Sequence, residues 1–216
     1  MKKFKLTTKS ITNEVGKKLF RIKALIDFGD VKAGELGGYV EKEGNVSQDD
    51  NAWVSGDAEV FGNAKVFGNA WVSGNARVYD NARVYDNAKV SGDAKVYDNA
   101  LVFGDAKVSG RAWVFGNARV SGDALISGNA KVSGDARVYD NADYALVQGF
   151  GIKFRCTTFY RGKNEKIMVN CGCFHGDLEE FRKQVKETRS GKIAKEYLMI
   201  ADLMEYHFVS EDSGDE

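Results

Sequence analysis

The residues best suited to chemistry cluster near the C-terminal end: Cys156, Cys171, Cys173 and His175, with Lys153, Arg155, Arg161, Lys163 and Lys166 beside Phe159 and Tyr160. The thiols and the imidazole are soft metal ligands, but a C-x-C pair is tighter than the C-x2-C to C-x4-C spacing of structural zinc sites. A strand sends both of its thiols to one face with Ile167 and Val169, which predicts small buried cysteines and no metal. The cations point elsewhere, since a guanidinium grips an anion through two bonds and stacks on aromatic rings. Strand alternation places Arg155, Thr157 and Arg161 on one face and Thr158 and Tyr160 on the other. One face is expected to be core, and the arginine face is the candidate binding surface. His175 and His207 are the only histidines. The glycines recur at fixed spacing and none opens a helix after a strand, so no phosphate-binding or dinucleotide fingerprint is present and no cofactor is expected.

These residues sit on a chain of 216 residues with 31 Lys+Arg and 31 Asp+Glu. With no net field to draw it onto a polyanion, general DNA binding is disfavoured. Three cysteines, no apolar run long enough to span a bilayer and no recognisable signal peptide set the expectation of a soluble cytoplasmic protein without disulfides or membrane contact. Proline is absent while glycine reaches 24, so turns must be made by Gly, Asn and Asp.

The scaffold follows from a repeat. Alanine recurs at every sixth position from Ala52 to Ala142, and two residues after each, from Val54 to Val138, stands valine, or isoleucine at Ile126. The unit V-[SFY]-[GD]-[ND]-A-x joins a β-branched residue that favours extended backbone to a pair that favours a turn, making each hexad a short strand and a corner. Sorting by every third hexad resolves the residues after each valine into columns. Ser55, Ser73, Ser91, Ser109 and Ser127 form one; Phe61, Tyr79, Tyr97, Phe115 and Ser133 a second; Phe67, Tyr85, Phe103, Ser121 and Tyr139 a third. Three hexads per coil predict a triangular prism of about six coils over residues 38–143, with Val and Ala inside and the columns as outer ladders spaced about 4.8 Å apart. Gly38 and Gly44 are read as belonging to the same register.

Flanking segments break the pattern. Residues 1–37 carry nine Lys/Arg against four acids, and Phe20, Ile22, Ala24 and Ile26 alternate as in a half-buried strand, which predicts a cap on the first coil. Over 144–209 the sequence predicts a ββαα module: strands at 153–161 and 166–173, preceded by one at 144–147, then two helices. Asp177 and Glu180 form a capping box for the first helix; Ile193, Tyr197, Ile200, Met204 and Phe208 share a face of the second. Residues 210–216 read as an acidic, disordered tail. Outside the prism Lys65, Arg83, Arg119 and Arg137 form a basic column broken by Leu101.

The uninterrupted V-[SFY]-[GD]-[ND]-A-x coils resemble the hexapeptide-repeat family. That resemblance implies a mainly β fold, a three-sided left-handed parallel β-helix, here with a small α+β C-terminal module. The family's acyltransferases use a histidine between adjacent prisms as general base; no histidine stands on these coils and no loop leaves them, so transferase activity is disfavoured. Together with the entry Phe20-Arg21-Ile22-Lys23-Ala24-Leu25 and the closing Thr157-Thr158-Phe159-Tyr160-Arg161 and Cys171-Gly172-Cys173-Phe174 runs, the chain resembles hexapeptide-repeat proteins of bacteriophages and prophages. This implies a non-enzymatic binding protein in the host cytoplasm that sequesters or blocks a host component, either a defence protein or a small nucleotide-like signal. A structural assembly protein is the alternative. The usual state in the resembling family is a homotrimer, for which Phe61, Tyr79, Tyr97 and Phe115 with Trp53, Trp71 and Trp113 are the expected interface.

Overall fold

A computed structural model describes residues 2–151 and 154–208; Lys153 and the 210–216 tail lie outside the described residues. The chain is a three-sided parallel β-solenoid of about six turns with an antiparallel cap at its start and a small sheet with two helices at its end. Three strands open it, β1 (Phe4–Thr12), β2 (Lys18–Ala24) and β3 (Leu36–Val40). They pair antiparallel in sequence, and β3 then pairs parallel with Glu59–Val60, so the cap continues one face of the prism into an eight-stranded sheet. Fifteen two-residue rungs follow, β4 (Trp53–Val54) to β18 (Arg137–Val138), distributed over three faces.

Each rung buries one β-branched side chain and each corner one alanine. Ala52 to Ala136 and Val54 to Val138 are at most 1% exposed. Only the alanine methyl fits inside the corner, where valines from all three faces converge. The corner backbone is left-handed: Gly62, Asp80, Asp98 and Gly116 stack with φ between 57° and 70°. At two such positions an Asp carboxylate accepts from the coil above, Asp86 from Gly104 N–H at 3.2 Å and Asp98 from Gly116 N–H at 3.0 Å. The neighbouring asparagines link coil to coil, Asn63 to Asn81 at 3.2 Å and Asn99 to Asn117 at 3.3 Å.

The first turn departs from the 18-residue spacing. Val40 pairs with Val60 and Val46 with Val66, an offset of 20, whereas Trp53 pairs with Trp71 at 18. Gly38 and Gly44 therefore fall out of strict sixfold register, and two extra residues are absorbed between Val46 and Trp53. The cap seals this corner. Trp53 is fully buried, edge-on to Phe4 at 6.2 Å and Phe28 at 5.4 Å. The Lys3 ammonium reaches the carbonyls of Asp49, Asp50 and Ala52 at 2.9–3.2 Å, and burial pushes its pKa down to about 8 against the pull of Asp50 and Asp49. Phe61 is covered by the cap as well, beside Leu19 and Tyr39.

After Ala142, itself exposed, a tight turn capped by Asp140 leads into the terminal module. Its sheet has four strands where three were expected, β19 (Tyr144–Phe150), β20 (Arg155–Arg161), β21 (Ile167–Cys171) and β22 (Phe174–Asp177), all antiparallel. Helices α1 (Leu178–Thr188) and α2 (Gly191–Phe208) cover one side. Asp177 caps α1 through Glu180 N–H at 3.0 Å, and Glu180 returns the bond to Asp177 N–H at 2.9 Å. Gly191 starts α2.

Candidate functional site

The two faces of β20 do different work. Thr158 and Tyr160 face the final coils, where Thr158 Oγ1 accepts from Lys131 N–H at 3.0 Å. Tyr160, fully buried, has its hydroxyl 3.3 Å from Ser133 Oγ and accepts from Asn170 Nδ2 at 3.0 Å. Asn170 Nδ2 also donates to the Lys131 carbonyl at 2.8 Å. Ser133 is thereby explained: it follows Phe61, Tyr79, Tyr97 and Phe115 in their column, and a fifth ring would occupy the space of Tyr160. This seam closes the open end of the prism, as the cap closes the other.

The opposite face of β20 carries Thr157, Phe159 and Arg161. Thr157 is buried and donates to Cys171 Sγ at 3.1 Å. Arg161 is a brace: Nε lies 2.9 Å from Asp143, one terminal nitrogen lies 3.2 Å from Glu165, and the other donates to the Phe208 carbonyl at 2.9 Å. Four of the five residues singled out from sequence as binding, Thr157, Thr158, Tyr160 and Arg161, are thus occupied by the protein itself, because β20 is covered on both sides.

Arg155 is the exception. With Cys171, Cys173 and Phe174 it forms one wall of a cleft of about 360 Å³, closed by Phe181, Gln184, Val185 and Thr188 of α1, Arg189 beyond it, and Tyr197 of α2. The guanidinium of Arg155 lies over Gly172 in the space a Cβ would fill. Gly172, at φ 65°, turns the chain between β21 and β22. That turn also overturns the expectation for the thiols. The C-x-C run straddles a hairpin and not a strand, leaving Cys171 half-buried and Cys173 exposed. Cys156, half-buried, has its thiol pushed up by burial. His175 is exposed and approaches the corner at Gly134, while His207 is edge-on to Phe208 at 5.0 Å. Among the described residues no group of three or more His, Cys, Asp or Glu is placed to hold a metal.

Inside the cleft Phe181 is edge-on to Tyr197 at 5.9 Å and tilted against Phe174 at 5.5 Å. Burial pushes the Tyr197 hydroxyl up, and Cys171 acts in the same direction; Arg189 and Arg155 oppose it, so both guanidiniums bear on this one phenol. Arg189, Tyr197, Phe174 and Phe181 were not legible as site residues. The signal that marks them is Gly172, which breaks a strand reading and folds Cys173 and Phe174 back toward the helices.

The prism offers ladders. Tyr79, Tyr97 and Phe115 stack at 4.9–5.0 Å with planes within 1°, and Phe67, Tyr85 and Phe103 at 4.8–5.0 Å. Stacking half-buries these rings apart from Phe67, which stays exposed, and burial pushes Tyr97 up to about 12. Of the expected interface residues, Trp53 and Phe61 are removed by the cap. Trp71 is half-buried, its Nε1 donating to Ser55 Oγ at 3.1 Å, and Trp113 lies between Lys95 and Lys131, whose ammonium groups sit 5.0 and 4.7 Å from its ring.

Residues 70–84 and 76–92 match the family described as YdcK Beta solenoid repeat. The chain is similar to that repeat over these coils. The match falls on the uninterrupted part of the prism and agrees with its fold, whereas cap and terminal module lie outside it. No curated protein sequence matches the chain. Among the described residues no helix is long and apolar enough to cross a membrane.

Proposed function

We propose that this is a non-enzymatic binding protein in which the solenoid is a rigid scaffold and the terminal module makes the specific contact. One observation carries the reading. The prism repeats itself every coil, so any feature on its faces is presented several times over, while the cleft between the terminal sheet and its helices occurs once and gathers two cations with three aromatic rings. Single-copy concave sites with few polar groups over apolar walls are where small-molecule recognition concentrates. The resemblance to phage and prophage proteins supports a host component as the partner, to be sequestered or blocked.

Native mass spectrometry of the full chain purified from a bacterial host tests this. The expected result is a retained mass, small molecule or protein, that is lost in Arg189→Glu, which reverses charge at the rim of the cleft. A wild-type chain that retains nothing, or a mass that persists undiminished on the variant, overturns the assignment to the module.

A further inference from the structure

We propose that the cleft binds a small planar aromatic anion, a single ring system bearing one carboxylate or phosphate. This rests on the reading of the terminal module as the recognition element and adds the chemistry of what it recognises.

The argument begins with charge. Among the described residues no carboxylate lies within ion-pairing distance of Arg155 or Arg189, and the cleft lining contains no Asp or Glu. The contrast within the same module is sharp. Arg182, in the middle of α1, is gripped by Glu179 at 2.7 Å, Asp202 at 2.8 Å and Glu205 at 2.6 Å. The fold therefore concentrates its carboxylates on an arginine outside the cleft. Two guanidiniums lining one cleft without a carboxylate carry an uncompensated positive field in a half-enclosed space, where charge is less screened than on an open face. A cation is excluded, and an anion between them gains charge-assisted hydrogen bonds from both.

Shape supplies the rest. Phe174, Phe181, Val185 and Tyr197 line the cleft, and its three rings pack against one another at 5.5 and 5.9 Å. Such an aromatic lining favours a flat unsaturated body through offset or edge contacts. At about 360 Å³ the cleft is at the low end of the range for small-molecule sites, which suits a fused aromatic acid or a mononucleotide.

Calorimetric titration of the full chain with 2-naphthoate and with adenosine 5′-monophosphate, against the uncharged 2-naphthalenemethanol and adenosine, tests the proposal. A ring anion should saturate with a Kd below about 1 mM while its neutral counterpart binds at least about tenfold more weakly. Binding of naphthoate alone identifies a carboxylate as the anionic group, and of the nucleotide alone a phosphate. The Arg155→Gln/Arg189→Gln variant should lose about tenfold or more in affinity. If that variant does not fold, Arg189→Gln alone serves, since among the described residues the Arg189 guanidinium bonds only the adjacent Thr188 carbonyl. A second readout is alkylation of exposed Cys173: iodoacetate should outpace iodoacetamide relative to a free thiol, and a bound ring anion should slow both. No saturable binding of either anion, or affinity and alkylation selectivity unchanged in the arginine variants, overturns the proposal. A mass retained by native spectrometry and lost in Arg189→Glu would then still leave the module as the contact, with a different ligand class.

Discussion

Asp177 and Arg161 show how single side chains hold the terminal module. The carboxyl of Asp177 is kept below its usual value of 3.8, first by the backbone N–H of Glu180 and then by Lys166. Because the folded pKa lies below the unfolded one, this contribution is complete above pH about 4 and is lost as the pH falls through the lower folded value. Asp177→Ala should cost about 1 kcal/mol at neutral pH, and thermal melts of wild type and variant should draw together below pH about 4. Arg161→Ala should lower stability by about 1–3 kcal/mol, since it strands Asp143 and the Phe208 carbonyl. A melting temperature unchanged by that substitution would show that the brace carries no weight. Arg155, a single position from Cys156 in the same strand, should by contrast be removable with little loss, since no protein carboxylate among the described residues pairs with it.

At the level of elements, rungs and corners were legible because each states the same local rule many times: valine inward, small residue at the corner, Gly or Asp where φ turns positive. Ala94→Leu tests that rule. The site is fully buried, so the extra methylenes should overpack it at a cost of about 1–3 kcal/mol, seen as a lower denaturant midpoint. What was not legible depends on elements that meet from far apart in sequence. Trp53 has the same spacing as Trp71 and looks equally exposed on the repeat, yet Phe4 and Phe28 close over it; Trp53→Ala should cost about 3–5 kcal/mol, measured by denaturant unfolding, far more than Trp71→Ala. Thr157 and Tyr160 alternate correctly along β20, but alternation does not say that both sides will be covered. Cys173 was misplaced by one glycine, because a left-handed residue at Gly172 ends the period of two on which the strand reading relied.

For the molecule as a whole, the outer ladders bear on assembly. We expect a homotrimer burying Tyr79, Tyr97 and Phe115. Sedimentation should give a trimer mass that Tyr97→Glu reduces to a monomer, and a concentration-independent monomer of the wild type would refute it. Cap and module, each sealing one end, leave sideways association as the route open to the prism. The spacing of 18 between stacked side chains has a consequence for the gene. A replication slip within the repeat that adds or removes three hexads, or 3 × 18 = 54 bases, keeps the reading frame and every ladder, and only changes the distance between the two ends. A slip of one hexad also keeps the frame, but it turns everything downstream by one face, stacks serine on tyrosine, and swings the cleft around the axis relative to the cap. Length variants in nature or in the laboratory should therefore survive in whole coils, and the register of the aromatic columns is the selectable mark that a surviving variant must preserve.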